Sequence, residues 1–237
     1  GGARDRGCHP RTLCAQRAQR AQRRLSMAPP RISRFGERAV LVEVNGLDEA
    51  RHLYSALRHA RETPAAASSA APWRDIVDLV PAARSVLVIA DTASRAARLH
   101  TALVAGVASL AAAPPPASAE AAPPVTIPVH YDGPDLAEVA SHTGLTPAEV
   151  VAAHTGMPWQ VAFGGFAPGF AYLVGGDPRL RVPRHPQPRT TVPAGAVALA
   201  GEFSGIYPRS SPGGWQLIGR TDVVLWDPDR TPPAALQ

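Results

Sequence analysis

Lysine is missing altogether from this 237-residue chain, so its 24 permanently basic side chains are all arginine. A chain without lysine forms no Schiff base and carries no phosphate-loop lysine. Cysteine is nearly as scarce. Cys8 and Cys14 are the only two, and both lie in the first 26 residues. Everything after them lacks a thiol nucleophile, a disulfide and a cysteine metal site. No apolar run reaches the roughly 20 residues of a membrane-spanning helix. The apolar stretch of about 7–15 residues expected in a secretory signal is missing too. These absences fit a cytoplasmic protein. Acidic residues are almost excluded from residues 1–26, where seven arginines face the single Asp5. The net charge of +5 thus comes from the front of the chain, and the remainder is close to neutral. A segment with no apolar face is not a folded basic surface, so nucleic acid is a poor candidate partner.

Proline and glycine, by contrast, are plentiful: 26 and 20 residues. Residues 1–27 read as a disordered Arg-rich extension. Residues 28–110 read as a small α+β domain: strands at Ile32–Phe35 and Arg38–Val44, then a helix from an Asp48 cap to about His59. "DIVDLV" and "SVLVIA" follow as strands, and Thr92 or Ser94 caps a second helix. Residues 111–124, built of Ala, Pro, Ser and Glu, read as a stiff linker. In residues 125–230, "VTIPVHY" predicts a strand. Two short helices follow, each closed by a glycine (Gly144, Gly156) suited to left-handed geometry. Thr146 and Glu149 form a capping box around Pro147. After Met157 short apolar segments ("WQVAF", "TTVPA", "AVALAG", "WQLIG", "VVLWD") alternate with turns, the pattern of a closed or nearly closed β-barrel.

Candidate chemistry is sparse. His52, His59, His100, His142 and His154 read as structural, and no metal-ligand spacing is evident. His130 and Asp132, two apart on the expected strand, share a face and suit an acid–base pair. His185 lies in the Pro-rich loop "RVPRHPQPRTT" with Arg181, Arg184 and Arg189. That loop is either a solvated surface or a clamp for a carboxylate or phosphate. No nucleophile elbow surrounds the serines of "RSSPGGW", and "GGFAPG" is neither a Walker loop nor a dinucleotide fingerprint. The Gly/Pro turns bearing Phe166, Phe170 and Tyr172 either fill a core or let backbone approach a ligand closely.

"GFAPGFAYL", "VPRHPQPRTTVPAGAVALAG" and "GIYPRSSPGGWQLIGRT" closely resemble the family of 5-oxoprolinase B subunits, or kinase A inhibitor-like proteins, also labelled allophanate hydrolase subunit 1. The resemblance spans about residues 31–227. It implies a C-terminal cyclophilin-like β-barrel after the small α+β domain. It also implies partner subunits A and C, which together with it convert 5-oxoproline to glutamate using ATP. On that footing the chain is a subunit of an amide (lactam) hydrolase, inactive alone and without a cofactor of its own, the ATP being used by the complex. The implied alternative is a regulatory protein that inhibits a sensor histidine kinase. Expected proton-transfer residues are His130, Asp132 and Glu202. Expected substrate contacts are Phe166, Pro168, Phe170, Tyr172, Arg184, Arg189, Phe203, Tyr207 and Gln216. Glu202-Phe203 stands where the family commonly has Gly-Gln, which bears on the substrate, because phenylalanine cannot hydrogen-bond a lactam.

Overall fold

The computed structural model describes residues 29–63, 72–112 and 123–236. The Arg-rich front and residues 113–122 of the expected linker lie outside them. The chain divides into two compact units, residues 1–116 and 117–237.

In the first unit β1 (Arg31–Phe35), β2 (Ala39–Glu43), β3 (Asp78–Pro81) and β4 (Ser85–Ile89) form an antiparallel sheet in the order β1-β2-β4-β3. Alternation in β2 and β4 buries Val40, Val42, Val86 and Val88 completely, as a period of two requires when one sheet face is covered. The cover is two helices, α1 (Leu47–Glu62) and α2 (Ala93–Ala112). They contribute Ala50, Leu53 and Leu57 from one, Ala96, Leu99 and Leu103 from the other. Thr92 caps α2 through the Arg95 N–H. Asp48 does not cap α1. Gly46 holds the cap position without a side-chain bond, and Glu49 reaches back instead to the Asn45 N–H at 3.0 Å.

The second unit opens with α3 (Leu136–Thr143) and α4 (Pro147–Thr155). Thr146 and Glu149 make the expected capping box. Gly144 is left-handed at φ 70°, but Gly156 keeps a right-handed φ of −73°. Then come β5 (Gln160–Gly164), β6 (Ala171–Val174), β7 (Arg189–Val192), β8 (Ala196–Ala200), β9 (Phe203–Ile206), β10 (Ser211–Gly213) and β11 (Gln216–Arg220). They form a five-stranded antiparallel sheet, β11-β8-β9-β6-β5, and a two-stranded ribbon, β10-β7. Among the described residues no ladder joins β11 to β5, so a closed barrel is not what the pairing shows. The expected strand at "VTIPVHY" is reduced to one bridge, His130 with Arg220, and "VVLWD" to a bridge between Trp226 and Ala234. Pro128 has no N–H to give a ladder.

Strand β8 is buried on both faces, and its two sides meet different neighbours. Val197 and Leu199 face a cluster with Val139 and Val150 of α3 and α4. Ala196, Ala198 and Ala200 face the opposite cluster with Phe170, Tyr207 and Trp215. Branched residues lie on the helix side, and alanines lie where rings already fill the space.

Candidate functional site: an aromatic cavity beside a buried carboxylate

Seven rings form a connected network on the alanine side of β8. Phe170 is its hub, edge-on to Phe166, Tyr172, Tyr207 and Trp215 at centroid distances of 5.3, 5.0, 5.5 and 5.5 Å. Phe163 stacks on Tyr172 at 4.4 Å, and Phe203 lies edge-on to both. Edge-on contacts suit the ring quadrupole and add to burial. Two glycines make room. A Cβ on Gly205 would meet the Phe170 and Trp215 rings, and one on Gly213 would strike the Tyr207 hydroxyl and ring.

Where the network ends, a cavity of about 130 Å³ opens, lined by Phe166, Phe170, Tyr172, Arg184, Tyr207, Pro212, Gly213, Gly214 and Trp215. Arg184 sits over Trp215, 6.0 Å from guanidinium carbon to ring centroid. Burial pushes the Tyr207 phenol above its ordinary value, so it stays protonated at neutral pH. Phe166 is 57% exposed and adopts φ 67°, the one left-handed non-glycine among the described residues. An aromatic held there against a steric cost is the strain expected at a ligand-contacting turn.

Beside the cavity the Pro-rich loop does not act as an open clamp. His185 and Arg189 do converge on a carboxylate, but it is the chain's own Asp135. Arg189 Nη2 donates to Asp135 Oδ1 at 2.6 Å, the Leu217 N–H donates to Oδ2 at 2.6 Å, and His185 Nε2 lies 3.2 Å from Oδ2. Asp135 is the residue before α3, yet it makes no side-chain cap there. Its carboxylate, 4% exposed as a residue, ties α3 to β7 and β11 instead. Gln216, 1% exposed, donates to Glu138 and to the Pro183 carbonyl.

Phe166, Phe170, Tyr172, Arg184 and Tyr207 are thus brought together at the cavity, with Phe203 behind Tyr172. Trp215 joins them as a lining residue that the sequence pattern does not single out, although it stands in the glycine-rich turn "SPGGW". Arg189 and Gln216 belong to the Asp135 cluster instead. Pro168 is exposed in the turn, outside the lining. His130 and Asp132 are exposed, and Asp132 pairs with Arg220 at 2.9 Å rather than with His130. Glu202 pairs with Arg181 at 2.9 Å and lines a separate cavity with Trp159 and Asp177.

The sequence profile of the family described as carboxyltransferase domain, subdomain C and D, matches residues 30–236. The chain belongs to this family. This carboxyltransferase-domain chain is 48% identical over 116 residues to the 5-oxoprolinase B subunit of Bacillus subtilis (strain 168), a match covering 48% of each. It is 47% identical over 116 residues to the 5-oxoprolinase B subunit of Escherichia coli O157:H7, covering 48% of this chain and 53% of that protein. The chain spans about half the length of the curated relatives it matches. The crystal structure of the protein TTHA0988 aligns with a TM-score of 0.64 at 37% identity, over 84% of this chain and 38% of that one. The Kluyveromyces lactis urea carboxylase shares the fold at 18% identity, with a TM-score of 0.58 over 85% of this chain and 20% of that one. No described helix is long and apolar enough to cross a membrane.

Proposed function

We propose that this carboxyltransferase-domain chain works as the B-type component of an ATP-dependent 5-oxoprolinase, with subunits A and C, and that its aromatic cavity holds the lactam. The observation that carries the reading is the cavity itself: about 130 Å³, walled by aromatic rings, with one guanidinium in its lining. An apolar cavity of about 150 Å³ accommodates benzene, so a five-membered ring with one carboxylate is of suitable size. The lactam ring lies against the rings of Phe170 and Trp215, and its carboxylate meets Arg184, whose planar fork suits it. Names of the curated relatives point the same way.

The lining contains no carboxylate, imidazole or thiol. On this reading the chain orients the lactam, while ATP and the other subunits bring the reacting groups, and the chain is inactive alone in the cytoplasm. Opening an unstrained lactam is unfavourable enough to need that coupling. Phe203 extends the apolar wall behind Tyr172, so the lactam N–H and C=O find their partners at the open side of the cavity. The finer fold reading, a cyclophilin-like barrel, belongs to the same proposal.

The experiment is a titration of the chain with 5-oxo-L-proline followed by tryptophan fluorescence, then ADP release in the presence of subunits A and C. Saturable quenching that is lost in Trp215→Phe and weakened about tenfold in Arg184→Ala supports the reading. No quenching, together with no 5-oxoproline-dependent ADP release by the full mixture, overturns it.

A further inference from the structure

The Asp135 cluster contains an arrangement that hydrogen bonding alone does not explain. Asp135 and Glu138 are one helical turn apart at the start of α3, and His185 comes from the loop before β7. A carboxylate oxygen of each acid and one imidazole nitrogen lie within 4.8 Å of one another. His185 Nε2 approaches Asp135 Oδ2 to 3.2 Å, yet it is buried and makes no hydrogen bond. The imidazole therefore meets the carboxylate at the right distance but off the axis along which an N–H would donate. Two atoms each about 2.1 Å from one ion are separated by about 3.0–3.4 Å when they are neighbours in an octahedron or tetrahedron. A spacing of 3.2 Å with no shared hydrogen bond matches two ligands of one cation.

A second observation concerns the amide packed against Glu138. Gln216 is 1% exposed, its Nε2 reaches Glu138 at 3.4 Å, and its Oε1 is buried with no partner. A carboxamide oxygen left without a donor is costly in a protein interior. The same buried carboxamide touches Glu138 through its Nε2, so an unpartnered hard oxygen of the kind divalent cations take belongs to a side chain in contact with the cluster.

We propose that Asp135, Glu138 and His185 bind one divalent first-row cation, Mn²⁺ or Zn²⁺, with the buried Gln216 carboxamide against Glu138. The oxygen-rich set with one imidazole excludes a preference for soft, thiolate-seeking metals. Arg189, on the far oxygen of Asp135, orients that carboxylate from outside, as outer partners of metal ligands do. Glu138 is exposed and provides the route of entry. The ion joins α3 to the loop that carries Arg184, so loading it fixes one wall of the aromatic cavity. This inference does not depend on the identity of the lactam. Nearly fifty residues separate His185 from the two acids, which is why no ligand spacing is legible in the sequence.

The test uses the full chain after dialysis against a chelator, titrated with MnCl₂ and followed by loss of the aqueous Mn²⁺ electron-resonance signal. Manganese is chosen because Cys8 and Cys14 compete poorly for it. One Mn²⁺ bound per chain and displaced by ZnCl₂ is expected, with affinity reduced at least tenfold in Glu138→Gln and in His185→Gln. Glu138 is exposed, so Glu138→Gln folds even where His185→Gln does not. No binding up to millimolar Mn²⁺, or binding that both variants leave unchanged, overturns the site.

Discussion

Arg189 and Asp135, 54 residues apart, meet at 2.6 Å with the carboxylate almost wholly buried. The arginine that the sequence offers as a substrate clamp is already committed to an internal anion. Removing it strands a desolvated charge.

Arg189→Ala is therefore expected to act on stability before it acts on ligand. Breaking a buried pair by deleting one partner costs about 3–5 kcal/mol. The Arg189 side chain is 30% exposed, which brings the expected loss to about 2–3 kcal/mol after screening. Urea denaturation measures it. Adding Asp135→Asn to Arg189→Ala should recover part of the loss, because the stranded charge is then gone. Equal midpoints for Arg189→Ala and the parent would show the pair to be dispensable.

Phe166 holds φ 67° at the cavity mouth. A left-handed backbone costs a non-glycine residue about 1–2 kcal/mol, while glycine adopts it freely. Phe166→Gly trades two edge-on ring contacts for relief of that strain, so the urea midpoint should stay within about 1 kcal/mol of the parent in stability. Binding of 5-oxo-L-proline, in contrast, should weaken about tenfold. A large stability loss with binding unchanged would make Phe166 a core residue and not a site residue.

Several local signals in the sequence translate directly into structure, although the Asp48 cap and a left-handed Gly156 do not, and signals that depend on distant partners translate less well. Alternation in "AVLVE" and "SVLVI", the Thr146–Glu149 box and the left-handed Gly144 are local, and the structure follows them. "VTIPVHY" and "VVLWD" have strand composition but make only single bridges, because pairing depends on partners that composition does not reveal. At the site, Phe166, Phe170, Tyr172 and Tyr207, offered by the sequence as substrate contacts, line one cavity. Asp135 carries no signal: its partners Arg189 and Leu217 are set by the crossing of β7, β11 and α3, not by spacing. His130 and Asp132 have the spacing of a shared strand face, but their stretch makes only the His130–Arg220 bridge, and the same Arg220 holds Asp132.

Gly213 pairs opposite Arg189 in the β10–β7 ribbon, and a Cβ there would collide with the Tyr207 hydroxyl and ring. Gly213→Ala should cost about 1–3 kcal/mol, the range for overpacking a filled site. Combining it with Tyr207→Phe removes the hydroxyl that is struck and should restore about a third or more of the loss. Thermal unfolding of the parent, the two single variants and the double variant gives the coupling. Strict additivity would mean that the ribbon moves away from Tyr207 at little cost.

His154 supplies a pH dependence whose sign follows from its surroundings. Nδ1 shares a hydrogen bond with the Tyr131 hydroxyl at 2.8 Å and Nε2 with Ser204 Oγ at 2.9 Å. The ring is buried, and desolvation lowers its pKa from 6.5 to about 4. The unfolded chain therefore takes up a proton between those values and the folded chain does not. Stability from neutral His154 is complete above about pH 6.5 and is lost as pH falls toward 4. Lowering the pH from about 7.5 to about 5.0 should cost about 2 kcal/mol through this residue, read from urea midpoints at the two values. His154→Gln keeps a hydrogen-bonding side chain but cannot titrate, so its midpoint should change much less between the same pH values. An equal drop in the variant would assign the acid sensitivity to other groups and leave the Tyr131–His154–Ser204 chain as packing alone.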